Sequence, residues 1–331
     1  MSTHANISVF VPHIGCLHRC SFCNQNHITG ESDAPTSKTV DNAVNEALKN
    51  PHYDPKNTEL AFFGGSFTAI PKDYRLELLN AAYKYVKNGT VCGIRISTRP
   101  DCIDEDILGE LKSCGVTAIE LGAQSMDDKV LLLNRRGHTA DDVAKASKLI
   151  KKSGIELGLQ MMTGLLGDTD EISIKTAEKI AKINPDTVRI YPTVVLKNTY
   201  LAKAYESGEY VPQTVDSAAS LCAKLLKIFY KNNINVIRLG LHSIDEKAFV
   251  AGPWHSAFGE ITKSKIYLEE IIGQLKGKTK GNYTIFVNPS EISKATGQKR
   301  SNITALQSLG YQCKIKGDNT INIYNVKIKE E

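Results

Sequence analysis

The sequence predicts an α/β protein in which a parallel sheet is followed by a small α+β domain. Over about the first 240 residues, short β-branched apolar segments alternate with longer amphipathic segments, which is typical of a parallel sheet flanked by helices. After about residue 250 this alternation stops. We therefore expect a barrel-like unit at 1–250, a linking and packing segment at 251–280 and a small basic domain at 281–331.

The strand candidates of the first unit are short, and most have the character of strands covered on both faces. They are "NISVFV" (6–11), "TELAFF" (58–63), "CGIRIS" (92–97), "TAIEL" (117–121), "IELGLQ" (155–160), "DTVRIY" (186–191) and a further segment, "INVIRLG" (234–240). Helix-like segments lie between them, for example 39–50, 73–88, 104–115 and 217–233. Asp104 can cap the third of these helices and Gly115 can end it. Six strand–helix units predict a partial (β/α)6 TIM-like barrel.

Polar and glycine residues collect directly after the predicted strands. The segments are "VPHIGC", "GGSFT", "STRPD", "GAQS", "MMTG" and "YPT", in chain order. Because parallel α/β proteins carry their chemistry at the carboxyl ends of the strands, these segments predict one functional rim.

Composition excludes several classes of protein. No basic start with a long apolar run is visible at the N-terminus, and no segment approaches about 18 uninterrupted apolar residues, so we expect neither export nor a membrane span. Five of the eight cysteines are scattered singly, which favours a reducing cytoplasm over a disulfide framework.

Three cysteines stand close together in "VPHIGCLHRCSFCNQ" (11–25): Cys16, Cys20 and Cys23. A disulfide fragment is disfavoured by the scatter of the other cysteines. A zinc site would use His13 or His18 as a fourth ligand, but no second cysteine pair exists. A [4Fe–4S] cluster with three thiolates would leave one iron open for another ligand.

The C-x3-C-x-Φ-C spacing after a first strand resembles the signature of the radical S-adenosylmethionine (SAM) superfamily. The resemblance implies a radical SAM barrel in which Cys16, Cys20 and Cys23 hold a [4Fe–4S] cluster and the open iron chelates SAM. It also implies reductive cleavage of SAM to a 5′-deoxyadenosyl radical that abstracts hydrogen from a substrate. An electron donor such as flavodoxin or ferredoxin would be required.

Three further segments resemble shared motifs of that superfamily: "FFGGSFT" (62–68), "ELGAQSMDDKVLLLNRRGHT" (120–139) and "LGLQMMTGLLGDT" (157–169). Glycine lets a ligand approach the backbone closely, as the first motif requires. Ser97 stands where many relatives carry a glutamate. The SAM-binding residues implied by the resemblance are Phe22, Gly64, Gly65, Ser66, Ser97, Gln124, Arg136 and Gln160.

The segments "STRPD", "NRRGHT" and "RIYPTVVLKNTYLAKAYESGEY" (189–210) are most similar to the radical SAM core of the Elongator catalytic subunit family. That resemblance implies a transfer RNA substrate, but not acetyl transfer, since we expect no acetyltransferase domain in a chain of this length. Some likeness to oxygen-independent coproporphyrinogen oxidase leaves a small anionic metabolite as an alternative substrate. A non-catalytic, redox-sensing RNA-binding protein is a third interpretation.

The C-terminal region has a predicted order of strand, helix, turn, helix and two strands. The segments are "NYTIFV" (282–287), "PSEISKAT" (289–296), "GQKR" (297–300), "SNITALQSLG" (301–310), "YQCKIK" (311–316) and "TINIYNVKI" (320–328). This order is similar to a KH module, whose G-x-x-G loop holds a nucleic-acid backbone. The loop ends in arginine here, and Lys299 and Arg300 are candidate phosphate contacts; a small capping domain is the alternative.

Charge supports an RNA partner for this end of the chain. Residues 276–331 contain 10 Lys and Arg against 4 Asp and Glu, a net charge of +6, whereas the remaining 275 residues have 31 against 32. A solvated basic surface is the alternative.

Catalytic candidates outside the motifs are weaker. His255 and Glu260 in "GPWHSAFGE" (252–260) could donate or accept protons, although such a segment is also typical of a packed linker. Tyr191, Arg238 and His242 end predicted strands near the rim.

Overall fold

The strands of the protein lie close to the segments predicted from its sequence. The computed structural model describes residues 4–11, 16, 19–24, 34–241 and 244–331. The strands are β1 (Ala5–Val11), β2 (Thr58–Gly64), β3 (Gly93–Thr98), β4 (Val116–Gln124), β5 (Glu156–Thr163), β6 (Thr187–Pro192), β7 (Val195–Leu196), β8 (Asn235–Leu239), β9 (Phe249–Ala251), β10 (Gly281–Val287), β11 (Tyr311–Gly317) and β12 (Lys327–Glu330).

The helices follow the strands as the alternation predicts. They are α1 (Ser37–Ala47), α2 (Lys72–Lys87), α3 (Glu105–Ser113), α4 (Asp128–Leu133), α5 (Ala140–Ser153), α6 (Asp170–Ile183), α7 (Tyr200–Glu206), α8 (Val215–Lys231), α9 (Phe258–Leu275), α10 (Ile292–Thr296) and α11 (Ser301–Ser308). Asp104 caps α3 by accepting a 2.7 Å hydrogen bond from the Ile107 N–H, and Gly115 follows its end with a φ of +78°. Both predicted helix signals are confirmed.

Seven strands form one parallel sheet that curls into a partial barrel. Their order in space is their order in the chain, β1-β2-β3-β4-β5-β6-β8, and every neighbouring pair is parallel. The carboxyl ends of all seven strands therefore lie along one edge of the sheet. The predicted fold class is confirmed.

The two faces of this sheet differ in chemistry. Alternate residues on the outer face are apolar and buried: Leu60, Phe62, Ile94, Ile96, Ile119, Leu121, Leu157, Leu159, Val188 and Ile190. The register places small, polar and charged residues on the opposite, inner face: Arg95, Ser97, Glu120, Gly122, Gly158, Gln160, Arg189 and Tyr191. The prediction of strands covered by apolar residues on both faces holds for the outer face only.

The chain divides into two compact units. The first comprises Met1–Pro212 and Ile228–Gly252, and the second comprises Gln213–Lys227 and Pro253–Glu331. In the second unit, β10 lies between β11, which is parallel to it, and β12, which is antiparallel. The core of this unit is formed by apolar residues of α9, the sheet and the two short helices: Tyr267, Ile271, Leu275, Tyr283, Ile285, Val287, Ala295, Ile303 and Leu306.

Two parts of the second unit differ from the sequence prediction. The final strand was predicted at 320–328, but β12 covers only Lys327–Glu330. The preceding residues instead form turns, in which the Ile321 N–H bonds to Asp318 O at 3.2 Å and Tyr324 has a φ of +64°. The segment predicted as a linker contains the 18-residue helix α9, which buries Ile266, Tyr267 and Ile271.

Candidate functional site

The predicted rim brings most of the candidate residues to one edge of the first unit. Gly64 is the last residue of β2, and Gln124 is the last residue of β4. Ser97 and Tyr191 are each next to the last residue of their strands, β3 and β6, whereas Gln160 lies in the middle of β5. The cysteine segment follows β1, which begins the same sheet. Residues separated by more than a hundred positions are thus neighbours.

All three cysteines carry free thiols and are partly buried. Burial is the main cause that raises the pKa of Cys23 to about 12, and the nearby Cys20 and Cys16 raise it further while Arg136 lowers it. Burial also raises the pKa of Cys16, against a hydrogen bond from the Ser66 backbone that lowers it. The three sulfur atoms therefore interact electrostatically, and a positively charged centre would be needed to hold all of them as thiolates.

The cysteine segment is anchored by Ser21, which is fully buried. Its hydroxyl donates to Asn134 Oδ1 at 2.6 Å, and its N–H donates to Asn134 O at 3.1 Å. Its carbonyl accepts from the Leu201 N–H at 2.8 Å. Asn134 is fixed in turn by Nδ2, which donates to the carbonyls of Val130 and Leu166. A serine between two cysteines gives no sequence signal for this role, and sequence analysis missed it.

Arg136 joins the cysteine segment to the fourth strand. Its Nη1 donates to Cys20 Sγ at 2.9 Å and its Nη2 donates to Gly122 O at 2.8 Å. The side chain is buried, and Nε has no hydrogen-bond partner within the described residues. A buried guanidinium with a spare donor beside a thiol is well suited to an additional anionic ligand.

Gly122 leaves room for the two polar side chains around it. A Cβ at this position would lie 2.8 Å from Gln124 Nε2 and 3.2 Å from Arg136 Nη2. Gln124 itself has a φ of +63° at an irregularity of the β4–β5 pairing, and it accepts a 2.9 Å hydrogen bond from Gln160 Nε2. The bulge thus turns Gln124 toward Gln160, as bulges next to functional sites often do.

The glycine segment after β2 faces the cysteines through its backbone. Gly64 has a φ of +111°, and the Gly65 N–H bonds to Val11 O at 2.7 Å. The Ser66 backbone donates to the Cys16 thiol, whereas its hydroxyl is 2.9 Å from Thr98 Oγ1. The side chain of Ser66 therefore holds the turn in place, and its backbone is directed to the site.

Phe22 and Ser97 lie at different parts of this site. Phe22 is half-buried and packs against two apolar clusters of the first unit, one containing Leu201 and the other Met162. Ser97 is half-buried on the inner face, in register with Glu120.

A buried network of charges that sequence analysis did not predict occupies the inner face. Arg95 Nε pairs with Glu59 Oε2 at 2.7 Å, and Arg189 Nη2 pairs with Glu120 Oε1 at 2.6 Å. Arg95 Nη1 also reaches Glu120 at 3.4 Å. Arg189 Nη1 donates to the Tyr191 hydroxyl at 3.3 Å, so the tyrosine proposed from sequence is held at one end of this network. In the sequence, the signal for this network would have been charged residues of opposite sign at alternate positions of successive strands.

Arg238 belongs to the first unit, where its Nε donates to Gly240 O at 3.2 Å. The other candidates belong to the second unit or fall outside the described residues. His255 Nδ1 accepts from the Ala257 N–H at 3.0 Å, and Glu260 is exposed and 3.7 Å from Lys263 Nζ. Lys299 and Arg300 are exposed, in a turn with φ values of +52° and +64°. His13, His18 and His242 are outside the described residues. The functional roles of His255, Glu260, Lys299 and Arg300 stay predictions.

The residues present are compatible with an iron–sulfur cluster and SAM. Three free thiols lie next to two sulfur-directed donors, the Arg136 guanidinium and the Ser66 N–H. Because Gly122 has no side chain, Gln124 and Arg136 approach its backbone closely. Among the described residues, no three His, Cys, Asp or Glu side chains converge on a single metal ion; in a cluster each thiolate would bind a different iron. The donor set therefore suits the cluster.

Membrane crossing has no support among the helices. Within the part of the chain that the structure describes, each helix is too short or too polar to span a bilayer.

Two family models match the chain. One, described as the radical SAM superfamily, matches residues 10–180, and the other, described as a radical SAM C-terminal domain, matches residues 185–270. An uncharacterized protein of Methanocaldococcus jannaschii is 30% identical over 258 residues, which cover 73% of this chain and 77% of that protein. The superfamily match alone covers more than half of the chain.

Relatives with assigned names share only part of their length with this chain. A tRNA uridine(34) acetyltransferase of M. jannaschii is 29% identical over 56% of this chain and 38% of its own length. Elongator complex protein 3 of Homo sapiens is 30% identical over 55% of this chain and 37% of its own. The chain thus spans well under two thirds of these two relatives.

Solved structures agree with the fold. An Elp3 of Methanocaldococcus infernus with an N-terminal deletion has a TM-score of 0.65 at 24% identity, covering 81% of this chain and 64% of that chain. The coproporphyrinogen III oxidase of Escherichia coli has a TM-score of 0.50 at 18% identity, covering 70% and 53%. At these identities the likeness concerns the fold alone.

Proposed function

Because the chain belongs to the radical SAM superfamily, whose members are enzymes, we propose that it is a cytoplasmic enzyme that modifies transfer RNA through hydrogen abstraction. The observation that carries the proposal is the meeting of three free thiols with the Gly64–Ser66 turn, Gln124 and Arg136 at one edge of the sheet. That arrangement supports one cluster and one SAM molecule.

Cys16, Cys20 and Cys23 would hold a [4Fe–4S] cluster. When bound together, the cluster and SAM supply a 5′-deoxyadenosyl radical that abstracts a hydrogen atom from the substrate. An electron donor such as flavodoxin or ferredoxin would serve the cluster. The residues of this chain provide a fixed setting: Ser21 anchors the cysteine segment, and Arg136 donates to Cys20 Sγ.

The remaining rim residues would bind and orient SAM. Backbone groups of the Gly64–Ser66 turn are suited to the methionine amino group, because glycine permits close backbone approach. Arg136 has an unpaired Nε for the methionine carboxylate. Gln124 and Gln160, which are hydrogen-bonded to each other beside Gly122, and Ser97 on the inner face offer polar contacts. Phe22 is half-buried among apolar residues, next to which an adenine would be shielded from water.

The names of the relatives favour an RNA substrate over a small metabolite. The matched transferases bear names that concern uridine 34 of tRNA, whereas the similarity to coproporphyrinogen III oxidase concerns the fold alone. Acetyl transfer is not part of the proposal, since the match covers only 38% of the M. jannaschii acetyltransferase. The local contacts of His255 and Glu260 do not favour either residue as an acid–base catalyst.

The test is anaerobic reconstitution with iron and sulfide, followed by SAM and dithionite, with 5′-deoxyadenosine measured with and without bulk tRNA. Cys16→Ala, Cys20→Ala and Cys23→Ala should each abolish cleavage, whereas the exposed Cys92→Ala should not. Stimulation by tRNA supports the full proposal. Cleavage that tRNA leaves unchanged would favour a metabolite substrate, and a cluster without any cleavage would favour the redox-sensor interpretation.

A further inference from the structure

The second unit has a sheet face that its helices do not cover. In the register of β11, β10 and β12, Tyr283 pairs with Cys313 and Ile285 with Ile315 and Ile328, and this side packs into the core. Alternate residues must point to the opposite side. We call that side the lysine face, and it consists of Thr284, Phe286, Lys314, Lys316, Lys327 and Lys329.

The lysine face is arranged as two rows across the three strands. Thr284 pairs with Lys314 on one side and Lys329 on the other, and Phe286 pairs with Lys316 and Lys327. Lysines two positions apart on a strand are separated by about 6.6 Å, and neighbouring strands by about 4.8 Å. Lys316 and Lys327 therefore flank Phe286, and Lys314 and Lys329 lie in the adjacent row, at backbone spacings that suit successive phosphates of an extended strand.

Most of the positive charge on this face is uncompensated. All four lysines are exposed. Glu331 pairs with Lys314 at 3.0 Å and accepts from the Thr284 hydroxyl at 2.6 Å. The described residues show no ion pair within 4.0 Å for the other three lysines, although Lys316 contributes to the lowered pKa of Glu331 and Lys327 to that of Asp318. Unpaired cations on one flat surface are the electrostatic pattern of a polyanion site.

Phe286 adds a feature that a simply solvated basic surface does not need. It is only half-buried, and it lies on the side of the sheet opposite to the core of the unit. A partly exposed aromatic ring in the middle of a sheet offers a platform on which a base can stack. Charge alone would suit any polyanion, whereas charge around an aromatic platform favours single-stranded nucleic acid.

We propose that the lysine face binds single-stranded RNA, with phosphates on the four lysines and a base stacked on Phe286. The inference deepens the proposed function, on which the choice of RNA rests, and it names the surface that takes the polynucleotide. It also replaces the Lys299–Arg300 turn as the main RNA contact. That turn has two consecutive basic residues in left-handed conformations, and the surrounding residues 297–304 include no aromatic residue.

The test is fluorescence anisotropy of a labelled, unstructured oligoribonucleotide with the full chain at several salt concentrations. Lys316→Glu with Lys327→Glu should weaken binding at least tenfold and flatten the salt dependence by about 1.4 in log–log slope. Lys299→Glu with Arg300→Glu makes the same change of charge and should alter affinity less than twofold. Phe286→Leu keeps the charge and should weaken binding at least about fivefold. Thermal melting would verify that each variant folds.

The inference would be overturned if the lysine-face variants bound RNA with wild-type affinity, or if the Lys299–Arg300 variant lost as much RNA affinity as they do. It would also be overturned if binding of anionic vesicles depended on the lysine face while RNA binding did not. Cleavage of SAM with and without tRNA, measured on the same preparations, separates the two proposals. Cleavage that tRNA still stimulates, with no binding of the oligoribonucleotide to the lysine face, would overturn the inference alone, whereas RNA binding without any cleavage would overturn the enzymatic proposal alone.

Discussion

Arg136 donates a 2.9 Å hydrogen bond to the sulfur of Cys20, although the two residues are 116 positions apart. Its second contact, to Gly122 O, requires the planar guanidinium fork. Lysine would keep the charge and lose this geometry. We expect Arg136→Lys to weaken SAM binding by about 10- to 100-fold, in line with about 1.5–3 kcal/mol for hydrogen bonds to charged groups. Equilibrium binding of SAM to the reconstituted protein measures this.

The neighbouring residue provides the control for that experiment. Arg135 is exposed and stacks on the Tyr200 ring at 4.0 Å. Arg135→Lys should leave SAM affinity unchanged. Equal losses in the two variants would mean that the hydrogen bonds of Arg136 to Cys20 and Gly122 are not what SAM binding depends on.

A methyl group at Gly122 should obstruct the site without unfolding the protein. The added Cβ would lie 2.8 Å from Gln124 Nε2, and a flexible amide can move at little cost to stability. We expect Gly122→Ala to weaken SAM binding about tenfold while the melting temperature changes little. Gly109→Ala, in the middle of α3 with no atoms nearby, should instead stabilise the protein by about 0.5–1 kcal/mol. Unchanged SAM affinity in Gly122→Ala would contradict the proposed position of the ligand.

The Ser21 anchor should control how well the cysteines bind iron. Ser21→Ala leaves the buried Asn134 Oδ1 without its donor, at a cost of about 1–3 kcal/mol. Because the lost hydrogen bond weakens the attachment of the cysteine segment and not the sheet, we expect a lower iron content per chain after reconstitution. The circular dichroism spectrum should stay near-native. Ser308→Ala, on the exposed side of α11, is the control and should reconstitute fully. Full iron content in Ser21→Ala would show that the segment needs no such anchor.

Glu120 should be the most sensitive member of the inner-face network. It accepts from both Arg189 and Arg95, and these side chains are almost completely buried. Glu120→Gln leaves Arg189 without a carboxylate, and breaking a buried pair costs about 3–5 kcal/mol. Denaturant unfolding measures this loss. The exposed pair of Glu105 and Lys152 supplies the contrast, since Glu105→Gln should cost less than about 1 kcal/mol.

The raised pKa of the Asp168 carboxyl should make the free energy of unfolding depend on pH. Burial is the main cause that raises the pKa of this carboxyl to about 6, against hydrogen bonds from Ser173 and Gly164. The folded state therefore holds the proton more tightly than the unfolded state. The protonated Asp168 carboxyl raises the free energy of unfolding by on the order of 2–3 kcal/mol. This contribution is complete below about pH 4 and is lost as pH rises through about 6.

Asp168→Asn removes this titration. The unfolding free energy of the variant should be flatter than that of the wild type between pH 4 and 7, and thermal unfolding across that range measures the difference. Asp106→Asn, at an exposed position in the first turn of α3, should retain the wild-type profile. Parallel curves for Asp168→Asn and the wild type would contradict the raised pKa.

Elements with local signals could be predicted from the sequence. The parallel strands followed from short β-branched segments, and α3 followed from Asp104 and Gly115. The gathering of rim residues followed from topology, because parallel strands end on one edge. The prediction of the final strand at 320–328 was wrong because the β-branched residues Ile321 and Ile323 lie in a turn. Hydrogen bonds of Asp318 and Asn322 fix the backbone of that turn.

Side-chain partners across the fold could not be predicted. Ser21 and Asn134 carry no signal of their pairing, since either residue is ordinary in its own segment. The same holds for the pairing of Arg189 with Glu120, which depends on the register of strands β4 to β6. The lysine face also depends on register, because only the pairing of β10 with both neighbours places Phe286 between Lys316 and Lys327.

The anchoring of the cysteine segment has a consequence for biosynthesis. The thiols leave the ribosome early, but Ser21 bonds to Leu201, which is 180 residues further along the chain. At about 5–20 residues per second, roughly 10–35 s separate the two events. During translation the three sulfurs lack their native support and are open to oxidation or to the wrong metal. We therefore expect productive cluster insertion to follow completion of the sheet, with carrier proteins or chaperones protecting the nascent thiols until then.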